Sequence, residues 1–107
     1  MDYLIIDVPD KNDSLSNIVL NNHYHQIRFT YNDSMDYWTF GIYNDKGTPL
    51  YTGMKIVPNM VLNLFHGMMS FGGMFLVKTT LTRIGRYSFV DGDAQFIYVP
   101  FEIVEDE

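Results

Sequence analysis

Apolar and polar residues alternate along much of this chain. From His23 to Tyr31, the residues His23, His25, Ile27, Phe29 and Tyr31 alternate with Tyr24, Gln26, Arg28 and Thr30. On an extended backbone such a period of two sends the two sets to opposite faces. Asp36 to Tyr43 repeats the pattern, with Trp38, Phe40 and Ile42 on one face and Tyr37, Thr39 and Tyr43 on the other. Between these runs lies Asn32-Asp33-Ser34, whose short polar side chains satisfy turn backbone locally. The second run ends in Asn44-Asp45-Lys46-Gly47, where Gly47 supplies the left-handed conformation of a tight turn. Pro49 then stands at the start of the next run, where a missing N–H donor is tolerated. Tyr24–Tyr31, Asp36–Tyr43 and Leu50–Ile56 are therefore expected to form an antiparallel meander.

Outside the meander the signals are shorter. Ile5–Val8 and Ser16–Leu20 read as opening strands, and Met74–Leu81 and Gln95–Val104 as closing ones, with Pro100 bending the last or marking a sheet edge. One short helix is expected after Pro58-Asn59, with Met60 and Leu64, joined by Val61, as its apolar stripe and Gly67 at its end. Met68-Met69-Ser70-Phe71-Gly72-Gly73 follows as an apolar loop, against the habit of loops to face water. The expected architecture is mainly β: a small antiparallel barrel or sandwich of six to eight strands with one short helix. The 107 residues suit a single domain, 1–107, with a short acidic tail at 102–107.

Composition narrows the function classes. The chain has no cysteine, which removes disulfides, thiolate metal sites and a cysteine nucleophile. The net charge of −6 argues against a protein built to grip nucleic-acid phosphate. The N-terminal residues lack the basic and long apolar regions of a signal peptide, and no apolar run approaches the roughly 20 residues of a membrane helix. No membrane partner is expected. The charge is also segregated: seven acids and three bases from Met1 to Gly53, four bases and no acid from Met54 to Val90, and six acids and no base from Asp91 to Glu107. Opposite-signed segments of this kind suit packing against copies or partners.

No constellation for catalysis is present. The serines lie in no G-x-S-x-G elbow, Phe71-Gly72-Gly73 lacks the residues of a phosphate loop, and Asp91-Gly92-Asp93 reads as a hairpin turn because the spacing of a calcium loop is missing. His23 and His25 would share a strand face and are the metal candidates. Ile27 and Phe29 continue that face, so the histidines are read as the end of an apolar stripe. No cofactor is expected. Methionine adapts to irregular contacts, which makes Met68, Met69, Phe71 and Met74 candidates for a subunit interface. Lys55, Lys78, Arg83 and Arg86 of the basic segment join them.

The order of these signals resembles a known family. Asn21-Asn22-His23-Tyr24-His25-Gln26-Ile27-Arg28-Phe29-Thr30-Tyr31-Asn32 is followed by Tyr37-Trp38-Thr39-Phe40-Gly41-Ile42-Tyr43, then Asp45-Lys46-Gly47-Thr48-Pro49-Leu50 and Thr52-Gly53-Met54. With the closing Asp91-Gly92 and Phe96-Ile97-Tyr98-Val99, this is similar to the baseplate plug family of contractile-tailed phages, over roughly residues 16 to 100. The resemblance implies a structural virion protein, assembled in the host cytoplasm, that plugs or lines the distal end of the tail tube at the hub. It implies contact with tail tube and hub proteins, repetition of the chain around the tail axis as a homo-oligomer, and no catalysis. The alternative that the residues leave open is a small monomeric β-barrel binding module for a carbohydrate or peptide.

Overall fold

The computed structural model describes residues 3–20, 22–63 (the backbone alone at Asn63) and 73–100. The described residues form eight strands: β1 (Leu4–Ile6), β2 (Asp13–Leu20), β3 (His23–Asn32), β4 (Tyr37–Asn44), β5 (Pro49–Ile56), β6 (Val61–Asn63), β7 (Gly73–Thr79) and β8 (Ala94–Pro100). They divide into two four-stranded sheets, ordered β2-β3-β4-β5 and β1-β8-β7-β6, with every pairing antiparallel.

The first sheet contains the expected meander, and local chemistry makes its turns. Asn32 Oδ1 accepts the Met35 N–H at 3.0 Å, and the Asp36 N–H donates to the Asn32 carbonyl at 2.7 Å. Asn44 Oδ1 accepts from both the Lys46 and Thr48 N–H groups at 2.9 Å. Gly47, with φ of 83°, closes that turn. In β5 the pairing with β4 shifts between Phe40 and Ile42. Gly53 lies within the shift at φ 67°, the conformation expected of glycine at a bulge.

The inward faces of the two sheets meet in a core of aromatic rings. Phe96 of β8 packs edge-on against Phe29 at 5.2 Å and Phe40 at 4.9 Å between ring centres. Phe75 of β7 meets Phe40 at 5.4 Å. Phe29, Phe40, Phe75 and Phe96 are all buried, with Ile27, Ile42, Ile56, Val77 and Trp38 around them. This is the sandwich arrangement, in which alternate residues of each strand fill the space between sheets.

Two expectations are corrected. The described residues show no closed barrel: each sheet keeps its own two edges, and β1 is joined to β2 by the 7–12 connection rather than by a ladder. The expected helix after Pro58-Asn59 is also not observed among the described residues. Asn59 takes φ 57°, which is left-handed, and Val61–Asn63 instead pairs with β7 as an edge strand, Val61 opposite Leu76 and Asn63 opposite Met74. A two-turn helix has little stability of its own, whereas the free edge of β7 offers backbone partners. The part of that expectation falling on Leu64–Gly67, and the acidic tail 102–107, lie outside the described residues. Other strand limits move by a few residues. β2 begins at Asp13, and Pro100 is the final residue of β8, opposite Gly73.

Candidate functional site

One end of the sandwich gathers four of the described connections between strands. The ladders place Asp13 opposite Thr30, Asn32 opposite Tyr37, Trp38 opposite Ile56 and Thr79 opposite Ala94. The connections 7–12, 33–36, 57–60 and 80–93 therefore emerge together. The 80–93 segment is held by its own bonds: the Leu81 N–H donates to Thr79 Oγ1 at 3.0 Å, and the Gly85 N–H to Ser88 Oγ at 2.8 Å. Asp91-Gly92-Asp93 turns into β8, with Gly92 at φ 83°, but at the end of the long 80–93 connection rather than as a tight hairpin turn. Ile84 is buried in the core, and the Trp38 indole N–H donates to the Gly85 carbonyl at 3.1 Å.

Two arginines of this segment tie it to the other connections. Arg83 pairs with the Asp36 carboxylate of the β3–β4 turn, which also accepts the Tyr31 hydroxyl. Arg86 donates to Asn12 Oδ1 at 2.6 Å and to Asp10 Oδ1 at 3.0 Å. Its guanidinium also lies over the rings of Trp38, at 5.6 Å, and Tyr87, at 4.9 Å. The acidic first half and the basic middle stretch are thus brought together within one chain at these two pairs. Asp10, Asn12 and Asp36 carried no signal as partners in the sequence, because each lies in an ordinary polar turn far along the chain.

The other interface candidates are distributed differently. Lys55 of β5 is exposed, with its ammonium 4.8 Å over the Tyr37 ring. Lys78 of β7 is exposed opposite Gln95. Both stand near the same end as Arg83 and Arg86. Met74 is half-buried on β7, in register with Val99. Met68, Met69 and Phe71 lie outside the described residues.

His23 and His25 part ways at the rim of the first sheet. His25 is buried, with Nδ1 3.0 Å from the His23 carbonyl oxygen, whereas His23 is exposed. Among the described residues no three His, Asp or Glu side chains are grouped to hold a metal ion.

The outer face of β2 and β3 carries an open depression of about 400 Å³ lined by Asp13, Leu15, Gln26, Arg28 and Tyr43, among others. Its two charges are engaged with each other. Arg28 grips Asp13 through Nε at 2.8 Å and Nη2 at 2.7 Å. Hydrogen bonding to Arg28 holds the Asp13 carboxyl below its ordinary value, and the same bonds push the guanidinium further up. Beside this pair the surface is apolar. Tyr3, Leu4, Ile5, Leu15, Val19 and Tyr24 are exposed on the flank formed by β1, β2 and the start of β3. They are six of the eleven large apolar side chains exposed among the described residues, so this flank stands out from the rest of the surface. Its signal in the sequence is that Asp13–Leu20 places aliphatic residues on both parities of the strand.

This geometry offers surfaces for contact with other proteins. A search of curated proteins finds no match to the chain. The family model described as cyanophage baseplate Pam3 plug gp18 matches residues 1–102. With that match spanning nearly the whole sequence, the chain belongs to this cyanophage baseplate plug family.

Proposed function

We propose that the chain is a non-catalytic, single-domain part of a phage tail baseplate that closes the distal end of the tail tube at the hub. The observation that carries this reading is the family match over residues 1–102. A baseplate plug meets other baseplate proteins by definition; the finer assignment is that its neighbours are the tail tube and hub proteins and that copies repeat around the tail axis. The contacts are drawn from the exposed Lys55 and Lys78, from Met74, and from the Met68, Met69 and Phe71 stretch. Arg83 and Arg86 hold the 80–93 segment in shape behind them. In this reading the protein assembles in the host cytoplasm and resides in the virion.

The test is direct. Purified virions carrying an epitope-tagged copy of the chain are analysed by mass spectrometry and by gold labelling under the electron microscope. The expected result is the chain detected alongside the tube proteins, with label at the distal end of the tube. Virions that contain tube proteins but lack this chain, or label placed elsewhere on the particle, would overturn the reading.

A further inference from the structure

Among the described residues the sandwich has four strand edges, and three of them are blunted. β1 and β6 are three residues each. β5 begins with Pro49, bulges at Gly53 and presents Lys55. Short length, proline, bulges and lysine are the means by which edge strands avoid pairing with other chains. β2 has none of these. Its eight residues pair with β3 in unbroken register, and Ser14 to Leu20 contains no charge, proline or glycine.

The ladder shows which residues this edge offers. The Tyr31 N–H donates to the Asn12 carbonyl at 2.7 Å, and bonded pairs alternate along an antiparallel ladder. The backbone groups of Ser14, Ser16, Ile18 and Leu20 therefore face β3. Those of Asp13, Leu15, Asn17 and Val19 point away from the sheet. Leu15 and Val19 are also 60% and 48% exposed, and Tyr24, opposite Val19 on β3, is 72% exposed.

We propose that in the free protein two copies pair antiparallel through β2, about a two-fold axis that sets Asn17 opposite its symmetry mate. The edge is complementary to itself in this register. Leu15 of each copy opposes Val19 of the other, the two apolar pairs flank an amide–amide pair, and no charges are opposed. Sliding by one bonded pair would instead set Leu15 against Asn17 and the Asp13 carboxylate against Val19. The proposed register joins the two outer apolar flanks and gives about six backbone hydrogen bonds between copies. Next to it, a cleft of about 310 Å³ between β1 and β2, lined by Leu4, Ile5, Ile18 and Ile27 among others, continues the apolar contact. A ring around the tail axis needs head-to-tail contacts, so this two-fold pair is a separate property of the free protein and stands or falls without the plug reading.

Because the chain has no cysteine, single introduced cysteines report the register. Across a bonded antiparallel pair the Cα atoms are about 5.5 Å apart, within disulfide reach. Leu15 and its symmetry mate would be about 14 Å apart, four residues along the strand and one strand spacing across. The wild-type chain at about 100 μM, well above a micromolar dissociation constant, is expected to show twice the 12.5 kDa chain mass by light scattering. Under mild oxidation Asn17→Cys should cross-link to itself. Leu15→Cys alone should not, but should cross-link to Val19→Cys when the two are mixed. Asn17→Pro removes only an N–H that faces away from β3, a tolerated edge position, and should halve the mass while the β circular dichroism is retained. A monomeric wild type, preferential self-cross-linking of Leu15→Cys, or an assembly indifferent to Asn17→Pro would each overturn the proposal.

Discussion

Gly73 opens β7 where no larger residue fits. A Cβ there would overlap the Tyr98 ring. Tyr98 is itself buried, and that burial pushes its phenol above the ordinary value. With the ring buried, a Cβ at residue 73 is admitted only if the ring or the backbone shifts. Gly73→Ala is expected to cost about 1–3 kcal/mol, read as a lower urea midpoint with an unchanged slope. A result within error of wild type would mean that Tyr98 repacks freely. The glycine stood in the sequence inside a Gly-Gly pair after Phe71 and read as loop. Its constraint comes from Tyr98, 25 positions later, and no local pattern encodes that.

Among the connecting elements, the 80–93 segment depends on two arginines with unequal surroundings. Arg86 is only 17% exposed and holds Asp10 and Asn12, whereas Arg83 is 63% exposed beside Asp36. Charge-assisted hydrogen bonds at a shielded site are worth about 1.5–3 kcal/mol; an exposed ion pair contributes about 0–1. Arg86→Ala should therefore lower stability by more than Arg83→Ala and open the segment to proteolysis near Tyr87. Equal effects from the two would contradict this ranking. Elements also show where the sequence was legible. The meander was readable because its turns are made by neighbours, as with Asn44 and Gly47. Strand β6 is not legible in the sequence, because Met60 and Leu64 also fit a helical spacing and three residues cannot separate the two periods. Its pairing partner, β7, decided the matter. The arginine contacts were illegible for the same reason: Arg83 reaches Asp36 across 47 positions and Arg86 reaches Asp10 across 76.

For the molecule as a whole, Phe96 is the ring that makes the most aromatic contacts between the sheets among the described residues, beside the Phe75–Phe40 pair. It is fully buried and touches Phe29 and Phe40 of one sheet and Phe75 of its own, with Phe89 of the 80–93 segment at 6.5 Å. Phe96→Ala is expected to cost about 3–5 kcal/mol, measured by chemical denaturation. A loss below about 1 kcal/mol, the scale of an ordinary surface substitution, would show that the sheets are held together elsewhere. The β-rich class and the sandwich alternative were visible from alternation alone, since period two names the face of every strand. The order of strands was not, because β1-β8-β7-β6 depends on which distant edges meet. That order has a consequence for biosynthesis. The ladder partner of Leu4 is Tyr98, so β1 waits for β8 to be synthesised. At about 5–20 residues per second, Leu-Ile-Ile stays without its partner for roughly 5–20 s, while β2 to β5 already have theirs. A nascent chain that stops short of β8 can complete the meander sheet but not its opposite layer.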